Sequence, residues 1–229
     1  MGENGWNWKD REGGRGGLLY EPGNWGDLLK LLWLSAAIRW KSSLGHGIAY
    51  FDPFAGDLSY PLSDNARRRL DDSGLSELDF IRPEFTARGR WPSAASAAGL
   101  LSVARRAVFD ADAGRLGRWR DGAGVEALDG ISGWELLAGR EAEPGGLWLI
   151  DPYDFLAEWR ERLPSLLLAS RTATVLLYIY NRSPGDAAAL KSYLAFRNAL
   201  ECGREKLPGR FGRAAADGFL PRACHEVFL

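Results

Sequence analysis

The segment Ile48 to Tyr60, IAYFDPFAGDLSY, limits the folds open to this chain more than any other stretch. A short run rich in β-branched and aromatic residues ends in an aspartate, and an Ala-Gly turn follows at once. Such a run reads as a strand buried on both faces, the kind found in parallel sheets. Open α/β sheets bind ligands outside the carboxyl ends of their strands, so Asp52 is expected at the mouth of a cleft. Gly56 removes a Cβ beside it, which lets backbone approach a flat ligand closely or take a positive φ. These residues read as a turn beneath a nucleoside-containing cofactor, or equally as an ordinary strand-to-helix turn with a capping aspartate.

Three later runs repeat the arrangement. Ala107 to Asp110 is a short strand ending in an acid, and Val125 to Leu128 is followed by Asp129-Gly130. Leu147 to Ile150 follows a Pro-Gly-Gly turn and leads into Asp151-Pro152-Tyr153-Asp154. Ala173 to Tyr180 is a longer buried strand, and Arg222 to Leu229 reads as a closing one. Helices are expected between them: Asn24 to Trp40 with Asn24 as its cap, Ser93 to Arg106, a helix opening at Gly114 to Arg120, Phe155 to Arg162, and Gly185 to Cys202. Leu62 to Arg90, broken by Pro, Asp and Gly, reads as a helical insertion with loops. Strands alternating with helices in this way specify an α/β fold with a mostly parallel sheet covered on both faces.

A carboxylate at the end of the second strand can accept hydrogen bonds from both hydroxyls of a ribose. Asp110 fits that task and Asp112 competes for it, while a helix cap explains either one taken singly. Lys30 lies near the polar edge of a strongly apolar helix, as a surface lysine or as one able to reach a ligand carboxylate.

With 229 residues and 46% apolar content, the chain can bury the core of one domain, expected over residues 18–229 behind a loose Gly-rich and charged arm at 1–17. Twenty-nine basic against 30 acidic residues leave a net charge of -1, so charge does not advertise a nucleic-acid partner. Arginine clusters at 67–69, 105–106 and 115–120, and a basic run at 206–213, read mostly as solvated helix faces. Cys202, Cys224, His46 and His225 lack the spacing of a zinc site, and two isolated cysteines suit a reducing cytosol. The start lacks the apolar core of a signal peptide, and no stretch has the roughly 18 uninterrupted apolar residues of a membrane span. A cytoplasmic monomer without metal or membrane attachment is expected.

Taken together, the four strand-end aspartates make the chain resemble class I S-adenosylmethionine-dependent methyltransferases, and more narrowly the RlmJ family, which methylates adenine N6 in 23S ribosomal RNA. The matching positions run along nearly the whole chain from Tyr20: Gly23-Asn24, Asp27 and Leu29-Lys30, then Asp52, Ala55, Gly56 and Tyr60, then Asp110, Asp129-Gly130 and Asp151-Pro152-Tyr153. The resemblance implies a Rossmann-like fold with a small helical insertion after the first strand. It implies an S-adenosyl-L-methionine site in which Lys30 and the Ala55-Gly56 turn hold the methionine end, Asp110 the ribose and Asp129 the adenine, with Asn24, Asp52 and Gly130 in the same set. It further implies catalysis by Asp151, Pro152 and Tyr153 on an RNA substrate.

The chain also departs from the pattern. The family's Asp-Pro-Pro-Tyr has one proline here, Asp57 stands where the second glycine of the cofactor loop is usual, and the family's histidines before the first helix are replaced by Tyr20, Glu21 and Trp25. An acceptor in DNA, protein or a small molecule, or a module that keeps the fold without catalysis, therefore stands beside the leading expectation.

Overall fold

The computed structural model describes residues 22–45, 47–122, 124–139, 146–152, 155–169, 173–180, 192 and 225–228. The expected arm at 1–17, the helix at 185–202 apart from Ser192, Tyr153 and Asp154 lie outside the described residues.

Helix α1 runs Trp25–Ser43, with Asn24 as its N-cap: the Asp27 N–H donates to Asn24 Oδ1 at 3.1 Å. Asp27 reaches back and accepts the Gly23 N–H at 2.8 Å, so the cap satisfies one of the amides that a helix start leaves unpaired and the turn before it is tied to the first helical turn. The strands that follow are β1 (Ala49–Asp52), β2 (Ser59–Pro61), β3 (Arg90–Pro92), β4 (Arg105–Val108), β5 (Glu126–Ala127), β6 (Gly146–Ile150), β7 (Thr174–Tyr180) and β8 (His225–Phe228). Between them lie α2 (Asp64–Ser73), α3 (Arg82–Arg88), α4 (Ala94–Gly99), α5 (Ala113–Arg120), α6 (Gly133–Gly139) and α7 (Phe155–Ala169).

The main sheet has the order β5-β4-β1-β6-β7-β8, parallel except for β8, which pairs antiparallel with β7. This is a Rossmann-like α/β fold with five parallel strands. The chain moves outward from β1 to β4 and β5, then returns to lay β6 on the other side of β1. The switch point between β1 and β6 is where such sheets open a crevice at their carboxyl ends.

Successive strand residues alternate between two cores, as a pleated strand buried on both faces requires. Tyr50, Val108, Leu147, Leu149 and Leu176 pack with α1, α4, Trp119 of α5 and the insertion. Phe51, Ala107, Trp148, Ile150, Leu177 and Ile179 pack with Leu137 of α6 and with Phe155, Trp159 and Leu166 of α7. Lys30 on α1 and the Tyr50–Asp52 pair therefore share the first of these faces.

Several local expectations are corrected. The helix expected over Ser93 to Arg106 stops at Gly99; Ser102 turns the backbone at φ 58°, and the Ala104 N–H joins the Ile48 carbonyl at 2.9 Å as β4 begins. As a result β4 spans Arg105–Val108, and Asp110 lies two residues past it. Helix α7 continues beyond Arg162 through Pro164 to Ala169, with Trp159 and Leu166 buried against the sheet. That burial offsets the hydrogen bond the proline removes. The insertion contains α2, a 3-10 turn at Ser76–Ile81 and α3, and the β2–β3 ladder ties its two ends together.

Candidate functional site

The carboxyl end of β1 carries the most buried acid among the described residues. Asp52 is 2% exposed and accepts the Tyr50 hydroxyl at 2.9 Å and the Phe54 N–H at 3.0 Å. Burial pushes its carboxyl up to about 7; the two hydrogen bonds and Lys30 pull the other way, and the neighbouring charge of Asp151 adds to the rise. Burial, and then Asp52 itself, hold the Tyr50 hydroxyl well above its ordinary value, so it stays a neutral donor.

Across the switch point, at the end of β6, Asp151 meets Lys30: Nζ to Oδ2 is 2.6 Å. Lys30 also lies 3.3 Å from Asp27 Oδ1 and sits over the Tyr178 ring. One ammonium is thus shared by two carboxylates and acts at longer range on a third, Asp52. Pro152 is buried directly after Asp151.

Tight contacts hold the turn after β1. The Ala55 N–H donates to the Phe109 carbonyl at 3.0 Å, which joins this turn to the segment carrying Asp110. Gly56 has φ 66°, and a Cβ there would come within 2.5 Å of the Tyr60 hydroxyl, so both the conformation and the close approach require glycine. The indole N–H of Trp119 donates to the Gly56 carbonyl at 3.0 Å, and the Asp57 N–H donates to the Tyr60 hydroxyl at 3.1 Å.

The two candidate acids after β4 take different tasks. Asp112 is the N-cap of α5 and accepts the Arg115 N–H at 3.0 Å. Asp110 accepts the Asp112 N–H at 2.8 Å and stands 3.5 Å from the Arg115 guanidinium, mostly shielded from water. Asp129 differs from the others: its side chain is 90% exposed and pairs with Arg120. Gly130 packs against Leu136 of α6, with no room for a Cβ.

Asn24 is engaged as the cap of α1. The structure therefore gathers Lys30, Asp52, Ala55, Gly56, Asp110 and Asp151 at the carboxyl ends of β1, β4 and β6, and leaves Asp129 facing water beyond β5. Tyr50, Arg118 and Trp119 also belong to this end and were not singled out by the sequence. Tyr50 could have been found by its i, i+2 spacing from Asp52, which puts both on one face of a strand. A small recess whose lining includes Ala49, Tyr50, Arg105, Glu126 and Gly146 opens toward the opposite, amino-terminal ends of the strands, away from the strand-end acids. Among the described residues no cluster of His, Cys, Asp and Glu is arranged to hold a metal ion, and no helix is long and apolar enough to cross a membrane.

No family model matches the chain, and no curated protein matches it. Among solved structures it is similar to protein LPL1258 from Legionella pneumophila, described under the family model DUF519. That likeness has a TM-score of 0.57 at 17% identity and covers 76% of this chain and 74% of that one. At this identity it speaks to the fold alone.

Proposed function

We propose that this chain transfers a methyl group from S-adenosyl-L-methionine to a nucleobase nitrogen, with adenine N6 in RNA as the acceptor. The observation that carries the proposal is the 2.6 Å contact between Lys30 and Asp151, which brings a candidate cofactor lysine and a candidate catalytic acid together at the switch point beside Asp52. The sheet order and the antiparallel β8 are in keeping with it.

The donor set suits the cofactor. Lys30 offers a cation to its carboxylate, Asp52 and Asp27 offer anions to its ammonium, the Gly56 turn admits a close approach, and Asp110 offers paired acceptors to a ribose diol. When bound, the cofactor supplies an electrophilic methyl group on a sulfonium. Lys30 fixes Asp151 Oδ2, so Oδ1 accepts a hydrogen bond from the acceptor amine. That bond orients the nitrogen lone pair and stabilises the positive charge that develops on it. Buried Pro152 fixes the backbone that carries Asp151. The resemblance gives Tyr153, which stands directly after the single proline and outside the described residues, the task of stacking on the base.

An acceptor other than RNA has one specific observation in its favour. Arg115, Arg118 and Arg120, at this end of the sheet, are each paired with a carboxylate rather than left for phosphates. Transfer of tritium from labelled S-adenosylmethionine to separate RNA, DNA and protein pools, with Asp151→Asn as control, tests the proposal. Labelling of RNA by the wild type alone supports it; labelling of protein or DNA alone moves the acceptor. Cofactor binding without transfer to any pool overturns the catalytic part.

A further inference from the structure

Arg118 and Arg120 of α5 are exposed, as expected of a solvated basic face. Two adjacent side chains on the helix, Arg118 and Trp119, also bond to the glycine turn. Arg118, nearly half exposed, makes a two-pronged bond to Asp57, with Nε at 2.9 Å from Oδ1 and Nη2 at 2.7 Å from Oδ2. Trp119, fully buried, holds the Gly56 carbonyl from inside at 3.0 Å. Asp57 Oδ1 also accepts its neighbour's amide, the Leu58 N–H, at 2.8 Å, so the carboxylate held by Arg118 orders the turn's own backbone.

The same helix starts at its cap Asp112, two residues after Asp110, and Asp112 is tied to Asp110 by a 2.8 Å hydrogen bond. About two turns of helix thereby span from the acid after β4 to the glycine turn after β1. Asp57 occupies the place where a second glycine would leave the loop free to adapt. A paired aspartate there exchanges adaptability for a fixed shape, and a ligand that meets a preformed turn loses less entropy on binding.

We propose that Arg118 and Trp119 are positioning residues that hold the Ala55-Gly56-Asp57 turn and Asp110 in register for one nucleoside-bearing ligand, with the Arg118–Asp57 pair substituting for the missing glycine. The ligand half of this inference rests on the methyltransferase reading; the register half does not. An arginine fork matches both carboxylate oxygens, and a lysine cannot reproduce that geometry. Arg118→Lys therefore restores only part of what Arg118→Ala loses.

The test pairs two readouts on the full chain. In the unliganded protein, hydrogen exchange at the Asp57 and Leu58 amides accelerates about fivefold in Arg118→Ala, while the melting temperature moves little, as for an exposed ion pair. Titration with S-adenosylhomocysteine then shows affinity falling about fivefold in Arg118→Ala and less in Arg118→Lys. Unchanged exchange in Arg118→Ala overturns the positioning role whether or not any ligand binds. Faster exchange with unchanged affinity for a bound ligand overturns the link between the turn and the ligand. Faster exchange in Arg118→Ala, with a wild-type protein that binds no S-adenosylhomocysteine, keeps the register and overturns the methyltransferase reading beneath it.

Discussion

Lys30 Nζ lies 2.6 Å from Asp151 Oδ2, although the two residues are 121 positions apart in the chain. The contact joins α1 to the end of β6 and leaves a single ammonium among three acids. Removing the cation leaves Asp27, Asp52 and Asp151 facing one another. Lys30→Met is expected to lower stability by about 1–3 kcal/mol at neutral pH, and Lys30→Met with Asp151→Asn to cost less than the sum of the two. Denaturant midpoints of the four proteins measure this; strict additivity would mean that the pair carries no coupling.

Asp52 gives the fold a pH dependence of unusual sign for an acid. Its folded pKa of about 7 stands above the ordinary 3.8, so between those values the folded chain holds more protons than the unfolded one. Its contribution is therefore most favourable in acid, declines as pH rises through that window, and is fully lost above about 7. Asp52→Asn keeps the shape without the charge. It is expected to match the wild type near pH 4 and to gain on it progressively up to pH 8, by on the order of 4 kcal/mol if the whole shift of roughly three units is expressed. Urea denaturation at several pH values decides; parallel curves would show that Asp52 ionises freely in the fold.

Asp110 and Asp112 are expected to fail in different ways. Asp112→Ala removes the cap of α5 and costs about 1 kcal/mol of stability. Asp110→Ala also costs about 1 kcal/mol or more, since its carboxylate accepts the Asp112 N–H and faces Arg115, and in addition weakens S-adenosylhomocysteine affinity about tenfold through the lost ribose acceptors. A melting curve and a titration on each variant separate the two, and the reverse pattern would transfer the ligand role to Asp112.

Gly56→Ala combines a left-handed backbone with a Cβ placed 2.5 Å from the Tyr60 hydroxyl. A loss of about 1–3 kcal/mol is expected. Adding Tyr60→Phe removes the steric part and returns only a fraction of it. Full recovery in the double variant would show that the positive φ costs nothing.

The outline of this fold was legible because its signals are local. Asn24 capping α1, the apolar runs of β1, β6 and β7, and their alternation with helices follow from chemistry within a few residues. The short pieces escaped for the same reason. Three-residue strands such as β2 and β3 carry no periodicity, and α6 is seven residues between glycines. The Ala-rich run after Ser93 has helical propensity beyond Gly99, but pairing with β1 claims Arg105 and Arg106 for β4. Arg118 and Arg120 are exposed as the basic run suggested, but their pairing was hidden because their partners, Asp57 and Asp129, lie on other loops. The acids of the candidate site were visible one by one, whereas the raised pKa of Asp52 depends on burial that no spacing reveals.

The central claim is that the Lys30, Asp52, Gly56 and Asp110 end of the sheet receives S-adenosylmethionine. Calorimetric titration of the full chain with S-adenosylmethionine and S-adenosylhomocysteine tests it most directly. The account predicts one site of micromolar affinity for each, tightening from pH 6 to pH 8 as Asp52 ionises opposite the ligand ammonium. Absence of binding by both compounds across that range would contradict it.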